Sequence, residues 1–213
     1  MIIAIDGPAG SGKTTVAKLL SKRLKISYLD TGATYRALTL KALEDNLNLG
    51  DESVLVDLAK KIKLKIESEK VYLDGVDVSS KIRVPRIDKN ISVVVSHPAV
   101  RQQMVNLQRQ MAKEGDFVVE GRDITTVVFP GAQKKFYLDA QFSLRVRRRF
   151  EELIEKEIVV DFDELKEDLK RRDHADKNRE VGPLRISDDA ILVDTTGLTL
   201  DEVIDVLMEQ INK

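Results

Sequence analysis

The hydrophobic positions of the chain fall into short apolar runs separated by longer segments with helical spacing. Residues 1–6 form an apolar, β-branched run that leads into glycines, which is typical of a buried parallel strand ending in a loop. Residues 14–24 follow with apolar side chains at helical spacing. Similar apolar runs, each ending at or just before an acidic residue, lie at residues 27–29, 117–119, 135–138 and 190–193. The pattern predicts an α/β fold with a five-stranded parallel sheet, whose ligands gather at the carboxyl ends of the strands.

One segment departs from this alternation. Residues 63–78, KLKIESEKVYLDGVDV, alternate apolar and polar side chains with a period of two and contain Asp74-Gly75. Asp-Gly is a strong signal for a tight hairpin. We therefore expect a small antiparallel meander inserted between helices, either as the seed of a second lobe or as an edge hairpin without a function of its own.

Composition limits the possible classes of protein. The 213 residues suffice for one sizeable core with a small appended subdomain. The formal net charge of −1 provides no overall attraction to nucleic acid or anionic membranes, and the absence of cysteine excludes disulfides and thiolate sites. We expect that the N-terminal residues are not a signal peptide, since they have no basic leader and no long apolar core. No apolar run approaches the roughly 20 residues needed to span a bilayer. We expect a soluble cytoplasmic protein without nucleic-acid or membrane partners, and nothing in the sequence requires more than a monomer.

The segment from Gly7 to Thr14 fits the phosphate-loop pattern G-x-x-x-x-G-K-[ST]. Its glycines allow the backbone to curl so that N–H groups face a phosphate at a helix N-terminus. Lys13 can reach the β- and γ-phosphate oxygens, and the Thr14 hydroxyl can ligate Mg²⁺. Because the loop also has a predicted strand before it and a predicted helix after it, the sequence predicts a nucleoside triphosphate site.

The triphosphate could serve a switch, a motor or a transferase. A GTP-dependent switch needs a D-x-x-G element followed by N-K-x-D, but the one D-x-x-G lies at residues 194–197 and N-K-x-D is absent. A nucleic-acid motor usually has a longer chain and a basic surface. A transferase needs a second anion site, and three arginine-bearing stretches follow predicted strand ends, at Arg36, at Arg122-Asp123 and at residues 171–179. Arginine forks bind phosphate oxygens in pairs, so these stretches favour a transferase.

A fourth basic run, Arg145-Val146-Arg147-Arg148-Arg149, has more than one interpretation. It could be a solvated helix face or a nucleic-acid patch. It could also place arginines on a mobile lid that closes over the transferring phosphoryl group, spreads its charge and excludes water.

Four segments together resemble bacterial-type cytidylate kinases: GPAGSGKTT, LDTGATYRAL, EGRDITTVVFPGA and RRDHADKNREVGPL. The similarity covers essentially the whole chain, with motif order and spacing kept. It implies a three-layer P-loop fold with a core at residues 1–35, 112–148 and 173–213. It further implies a monophosphate-binding lobe at 36–111, which includes the β insert at 63–78, and a short lid region at 149–172.

The resemblance also implies an activity, the transfer of the γ-phosphoryl group of Mg·ATP to CMP or dCMP to give the diphosphate and ADP. ATP would be bound by Gly7, Pro8, Ala9, Gly10, Ser11, Gly12, Lys13, Thr14 and Thr15. The acceptor would be bound by Thr31, Arg36, Ser92, Arg101, Arg122, Asp123, Asp176 and Arg179. The charge of the transferring group would be stabilised by Lys13, Arg122, Arg145, Arg148, Arg172 and Arg179. Thr14 would ligate Mg²⁺, with Asp30 as a candidate acting through water.

Within this implied site, Ser92, Arg101 and Asp123 would read cytosine and Asp176 would bind the ribose hydroxyls. A carboxylate suits the exocyclic amino donor of cytosine, whereas uracil presents an oxygen at that place. Structural alternatives remain open: Asp123 could pair with Arg122, and Ser92 and Arg101 could belong to the exposed N-terminal region of a helix. Two departures from other family members are Thr31 in place of Ser and Glu120 in place of Asp, and Glu120 could help to organise the waters of the metal.

Two further functions compete with cytidylate kinase. One is a related P-loop kinase acting on UMP, AMP or a small metabolite such as shikimate, against which Asp123 and Arg101 argue. The other is a nucleotide-dependent regulatory or RNA-binding protein that uses the basic runs as contacts.

Overall fold

The computed structural model describes residues 1–67 and 69–213, so Ser68, inside the predicted meander, lies outside the described residues. In chain order the regular elements are β1 (Ile2–Asp6), α1 (Lys13–Leu24), β2 (Ser27–Asp30), α2 (Thr31–Glu44), α3 (Glu52–Lys61), β3 (Leu64–Glu67), β4 (Lys70–Leu73), β5 (Val76–Asp77), α4 (Pro85–Ser96), α5 (Pro98–Met111), β6 (Phe117–Gly121), β7 (Lys134–Asp139), α6 (Phe142–Glu155), α7 (Phe162–Asn178), β8 (Ile191–Asp194) and α8 (Leu200–Ile211). A 3₁₀ turn at Lys81–Arg83 and a single π-helical turn at Ile124–Val128 complete the set.

The main sheet has five parallel strands in the order β2-β6-β1-β7-β8, which confirms the predicted fold class. β1 is central and pairs with β6 on one side and β7 on the other. Ile3, Ala4 and Ile5 are fully buried, as expected for a strand covered on both faces. Asp6, at the carboxyl end of β1, lies opposite Gly121 and Tyr137 in the two registers.

The predicted meander is confirmed as a three-stranded antiparallel sheet in the order β3-β4-β5. Asp74 and Gly75 form the tight turn between β4 and β5, with φ values of 50° and 85°. Both residues therefore adopt the left-handed conformation that a two-residue hairpin of this type requires. The turn places Leu73 opposite Val76.

The chain divides into two compact units, Met1–Ser27 with Phe117–Lys213, and Tyr28–Asp116. The second unit has its own apolar core, in which residues of α2, such as Leu38, accompany residues of α4 and α5, such as Val94 and Met104. The functional division into core, monophosphate-binding lobe and lid stays a prediction. None of the helices in the described residues combines the length and hydropathy needed to cross a membrane.

In the first unit, α6 and α7 pack against the loop that follows β1. Val146 of α6 and Leu169 of α7 form a small buried cluster with Ala9 of that loop. The partly buried side chains of Phe142 and Leu165 extend it. The loop is therefore held by apolar contacts from helices that lie more than a hundred residues further along the chain.

The packing of β7 generates a stability prediction. Phe136 is fully buried, so Phe136→Ala is expected to lower the free energy of unfolding by about 3–5 kcal/mol through lost burial and the cavity left behind. Leu192→Ala, opposite Tyr137 on β8 and 56% exposed, is the control and is expected to change it by less than about 1 kcal/mol. Urea denaturation measures both, and similar losses for the two variants would contradict the assignment of Phe136 to the core.

Candidate active site

The loop between β1 and α1 has the backbone of a phosphate-binding loop. Gly7, Gly10 and Gly12 have φ values of 150°, 75° and 87°. A Cβ at Gly7 would lie 2.0 Å from the Leu138 carbonyl oxygen, and one at Gly10 would lie 2.6 Å from the Arg145 carbonyl oxygen. Glycine is therefore required at both places by close backbone approach as well as by conformation.

Helix α1 begins directly after this loop, at Lys13. Its N-cap is Gly12, so no side chain caps the helix, and no acidic residue lies in its first turn. Its first N–H groups and the positive end of its dipole thus face the loop, an arrangement suited to an anion. Ser11 is buried and Thr15 is exposed at the two sides of this turn.

Lys13 is buried inside the loop, where its Nζ donates to the Pro8 carbonyl oxygen at 2.6 Å and contacts Ser11 Oγ at 3.3 Å. Burial, and after it the positive charge of Arg122, lower the pKa of Lys13 to about 7, although the negative charges of Glu120 and Asp6 oppose the shift. The loop by itself is therefore a poor environment for an ammonium ion. Phosphate oxygens would suit this amine, because an opposite charge favours its protonated form.

Thr14 lies next to the acidic end of β6. Its Oγ1 donates to Glu120 Oε2 at 3.1 Å, and Glu120 is only 3% exposed. With its proton directed at Glu120, the Thr14 hydroxyl keeps its lone pairs for another partner, and a Mg²⁺ ion fits that chemistry. Within the described residues, no cluster of three or more acidic, histidine or cysteine side chains could hold a metal by itself.

Four residues predicted to bind the acceptor form one ion-pair cluster in the first unit. Arg122 Nε donates to Asp176 Oδ2 at 2.8 Å. Arg179 lies between two carboxylates, with Nη1 3.5 Å from Asp176 Oδ1 and Nη2 3.4 Å from Asp123 Oδ1. Positive and negative groups alternate along the cluster, so each buried charge has an opposite neighbour.

Electrostatics hold the cluster in its charged form. Burial raises the pKa of Asp176, but Arg122, Arg172 and Arg179 together outweigh burial and lower it below its usual value. Burial likewise opposes the charge of Arg122, but Asp176 and Glu120 raise its pKa overall. Arg172, half-buried on α7, therefore acts on the same group of charges as its neighbours.

Arg145 and Arg148, both on α6, have different surroundings. Arg145 is buried: Nη1 donates to the Ala9 carbonyl oxygen at 3.0 Å and to Asp173 Oδ2 at 2.6 Å, and Nε donates to the Ala140 carbonyl oxygen at 3.1 Å. Arg148 is partly buried and donates to Thr195 Oγ1 and to the Thr195 carbonyl oxygen, both at 2.9 Å. The structure therefore places both guanidinium groups beside the phosphate-loop end of the unit.

The second unit carries the other predicted acceptor residues. Arg36 Nη2 pairs with Asp88 Oδ1 at 2.7 Å, which links α2 to α4. Arg101, 2% exposed on α5, lies over the ring of Tyr35 at 5.5 Å from its centroid. Ser92 is half-buried on α4.

Thr31 and Asp30 lie where β2 meets α2. Thr31 is buried in the first turn of the helix, and its carbonyl oxygen accepts from Thr34 Oγ1 at 2.7 Å. Asp30 caps the helix by accepting from the Ala33 N–H at 2.9 Å, and its other oxygen pairs with Arg83 Nη2 at 2.8 Å. Both carboxylate oxygens of Asp30 therefore have partners inside the second unit.

Comparison with known proteins gives one consistent result. A model of the cytidylate kinase family matches residues 3–213. The chain is 50% identical to the cytidylate kinase of Caldanaerobacter subterraneus subsp. tengcongensis over 99% of this chain and 94% of that protein. It is 46% identical to that of Fusobacterium nucleatum subsp. nucleatum over 100% of this chain and 98% of that protein.

The chain belongs to the cytidylate kinase family. This confirms the resemblance on which the sequence analysis relied. Among solved structures, shikimate kinase from Bacteroides thetaiotaomicron aligns with a TM-score of 0.51 and 11% identity, covering 100% of this chain and 99% of that chain. At that identity the likeness supports the shared fold and nothing more specific.

Sequence reasoning missed three acidic residues whose contacts support predicted site residues or the segments that carry them. Asp88 pairs with Arg36, and Asp173 pairs with Arg145. Asp6 accepts three hydrogen bonds from Ile124 and Thr125. Asp6 could have been noticed, because an acidic residue ends an otherwise apolar strand directly before Gly7. Asp88 and Asp173 have no such signal in the sequence.

The buried amine of Lys13 generates a pH prediction. Its folded-state pKa of about 7 lies below the ordinary value of 10.5, so keeping the buried amine protonated lowers the stability of the nucleotide-free protein. This cost is at its maximum below pH 7. That cost disappears as the pH rises from 7 towards 10.5, where the unfolded chain also loses the proton. Lys13→Met is therefore expected to raise the melting temperature relative to the unsubstituted protein more at pH 6 than at pH 9.

Thermal melts at several pH values without nucleotide measure this difference. Lys22→Met, at an exposed position of the same helix, is the matched control, and its difference is expected to stay nearly constant. A Lys13→Met difference that does not change with pH would show that the amine is charged throughout the range.

Proposed function

We propose that this chain transfers the γ-phosphoryl group of Mg·ATP to CMP or dCMP, giving CDP or dCDP and ADP. The observation that carries the proposal is family membership over residues 3–213, which includes the complete phosphate loop and the arginine–carboxylate cluster. Phosphoryl transfer needs positioned charges more than covalent chemistry from the protein. The groups described above supply such charges.

ATP is the donor in this proposal, with its phosphates bound by the loop from Gly7 to Thr15. The backbone N–H groups of the loop and of α1 contact the phosphate oxygens, and Lys13 pairs with them. Thr14 would ligate Mg²⁺ through the lone pairs of its hydroxyl oxygen, because the hydroxyl proton is donated to Glu120. The ion would neutralise charge on the β- and γ-phosphate oxygens. Asp30 acting through water is a weaker part of the proposal, because helix capping and Arg83 already engage its oxygens.

Binding of the acceptor phosphate is assigned, from the resemblance, to Thr31, Arg36, Arg122 and Arg179. Each of these three arginines pairs with a carboxylate, that of Asp176 or Asp88. Such pairing compensates the charge of each guanidinium group, as an acceptor phosphate would on binding.

Recognition of cytosine is assigned to Ser92, Arg101 and Asp123, and binding of the ribose hydroxyls is assigned to Asp176. Asp123 suits the exocyclic amino group, because a buried carboxylate accepts from a donor and repels the oxygen of uracil. Its 5% exposure supports this assignment, since discrimination by a polar contact is strong where water cannot replace the missing partner.

Stabilisation of the charge on the transferring phosphoryl group is assigned to six residues: Lys13, Arg122, Arg172, Arg179, and Arg145 and Arg148 of α6. Arg145 already contacts the Ala9 carbonyl oxygen of the phosphate loop, which supports a role next to the donor. Closure of the lid region at 149–172 over the nucleotides is part of the same proposal, as are a cytoplasmic location and a monomeric state.

The alternative acceptors, UMP, AMP and shikimate, are not favoured by the relatives. The curated proteins most similar to the chain are named cytidylate kinases at 43–50% identity. The shikimate kinase neighbour shares only 11% identity, too little to transfer a substrate.

The experiment that tests the function is ADP formation from Mg·ATP with CMP, dCMP, UMP, AMP, shikimate or no acceptor. Strong turnover with CMP and dCMP and weak turnover with UMP is expected. Faster turnover with AMP or shikimate than with CMP would support a kinase activity but refute the proposed cytosine site. ADP formation that does not depend on an acceptor would refute the transferase.

Asp123 provides the specificity test. Asp123→Ala is expected to lower kcat/KM for CMP about 10- to 100-fold, the range for losing a charged hydrogen bond in a buried site. The effect on UMP should be smaller, so the CMP-to-UMP ratio of kcat/KM falls. Asp205→Ala, an exposed carboxylate that pairs with Arg23, is the control and should leave the ratio unchanged. An equal loss for CMP and UMP would assign Asp123 to the phosphate site or to folding.

A further inference from the structure

Asp6 is a fully buried acid to which the proposed chemistry gives no role. It ends β1, and its carboxylate accepts three hydrogen bonds from the segment after Arg122-Asp123. Oδ1 accepts from the Ile124 N–H at 2.8 Å, and Oδ2 accepts from the Thr125 N–H at 2.8 Å and from Thr125 Oγ1 at 2.6 Å. Burial raises the pKa of Asp6, and the bonds from Thr125 and Ile124 oppose that shift. An acid in such a place is costly unless it is fully hydrogen-bonded.

The three bonds satisfy the start of an unusual turn. Ile124–Val128 is a single π-helical turn, a feature often found at functional sites. The first N–H groups of any helical turn have no partner inside it, and leaving such a buried group unsatisfied costs about 1–3 kcal/mol. Asp6 provides that partner for Ile124 and Thr125 from a strand 118 residues earlier in the chain.

The residue in the N-cap position of this turn is Asp123, and its side chain makes no capping hydrogen bond. Aspartate at this position ordinarily accepts from the second or third N–H of its own helix. Here only the main chain of Asp123 contributes, with its carbonyl oxygen accepting from the N–H groups of Val127 at 2.8 Å and Val128 at 3.0 Å. The carboxylate of Asp123 instead lies beside Arg179, with Oδ1 3.4 Å from Nη2.

We propose that Asp6 is a positioning residue for acceptor selection, because it caps the Ile124–Val128 turn in place of Asp123 and so keeps the Asp123 carboxylate directed towards the acceptor base. The proposal rests on the proposed role of Asp123 in reading cytosine. Asp6 contacts neither substrate in this assignment. It acts through the backbone of the residues that follow Asp123.

The position of Asp6 makes it an effective anchor. Its main chain belongs to the central strand, paired with Gly121 on one side and Tyr137 on the other. The next residue is Gly7, held against the Leu138 carbonyl oxygen. The carboxylate therefore extends from one of the most constrained backbones in the unit, and it can hold the turn in one place.

Asp6→Asn tests the proposal with almost no change in shape. An amide can accept one of the two N–H bonds, but its NH₂ group faces the other N–H, so the turn loses part of its cap. The Asp123 carboxylate is then expected to cap its own turn. The CMP-to-UMP ratio of kcat/KM should fall on the order of 10-fold, the effect of one lost buried hydrogen bond.

Thr125→Val is the matched control, because it removes the bond from Thr125 Oγ1 and keeps both N–H bonds to Asp6. Its ratio should stay within about 2-fold of that of the unsubstituted protein, a change of less than about 0.4 kcal/mol. If Thr125→Val loses as much discrimination as Asp6→Asn, capping of the backbone is not what matters, and the proposal is overturned.

A double-variant cycle tests whether Asp6 acts through Asp123. If it does, Asp6→Asn combined with Asp123→Ala should have the same CMP-to-UMP ratio as Asp123→Ala alone, since the carboxylate to be directed is already absent. A further fall of the ratio in the double variant, equal to the fall caused by Asp6→Asn alone, would show that the two residues act independently and overturn the proposal.

Amide hydrogen exchange separates this inference from the proposed function. In Asp6→Asn, the N–H groups of Ile124 and Thr125 should exchange at least about 10-fold faster than in the unsubstituted protein, as one hydrogen bond weakens. Unchanged exchange refutes the cap whatever the substrate. If the unsubstituted protein shows no preference for CMP, the cytosine role of Asp123 fails, and acceptor selection by Asp6 fails with it, whereas exchange still decides the cap.

If Asp6→Asn fails to fold, amide hydrogen exchange in the unsubstituted protein still tests the cap. The Ile124 and Thr125 amides are then expected to exchange as slowly as core amides of β1, such as that of Ala4, which lies in the middle of the sheet. Fast exchange of both amides in the folded protein would exclude a persistent cap by Asp6.

Discussion

The close approach of backbones at the carboxyl end of β1 is the constraint on which the first unit depends. Gly7 leaves the sheet so near the Leu138 carbonyl oxygen that no side chain fits, and Gly10 also passes too close to the Arg145 carbonyl oxygen for a side chain. The loop is thereby pressed against β7 and α6. Because β1 is also paired with β6, the same strand end brings Thr14 to Glu120 and Asp6 to the turn after Asp123. Donor and acceptor residues of this unit are therefore positioned from one strand.

Compensation of buried charge explains most of the remaining arrangement. Several arginines in the site would repel one another and resist burial if they were alone. Asp176 lies against Arg122 and Arg179, and Asp173 lies against Arg145, so each guanidinium is balanced before any phosphate is present. Lys13 differs, because its amine donates to the neutral Pro8 carbonyl and Ser11 hydroxyl. Burial, and after it the charge of Arg122, lower its pKa to about 7. Binding energy for an anion is thus concentrated at the phosphate loop.

The sequence was sufficient to predict the features that depend on local chemistry. Apolar runs before acidic residues predicted the five parallel strands, Asp74-Gly75 predicted the hairpin, and the glycines of the first loop predicted its conformation. Ion pairs between residues far apart in the chain could not be predicted from the sequence, because such pairing depends on helix rotation and strand register. Arg145 is buried while Arg147, two residues later, is exposed, yet both belong to one basic run. The roles of individual site residues stay predictions, since they follow from the resemblance.

The carboxylates of the cluster also bear on how an acceptor nucleotide could be admitted. Asp176 uses Oδ2 for Arg122 and has Oδ1 3.5 Å from Arg179, so a phosphate that pairs with both arginines competes directly with it. A carboxylate displaced in this way inside a buried site needs new hydrogen-bond donors. Ribose hydroxyl groups are such donors, and they belong to the same molecule as the competing phosphate. The proposed roles of Asp176 and the arginines are therefore mutually dependent: one nucleotide supplies the anion that releases the carboxylate and the hydroxyls that satisfy it. Inorganic phosphate supplies the anion but not the hydroxyl groups. A nucleotide is therefore favoured over inorganic phosphate at this cluster even without the contacts of its base.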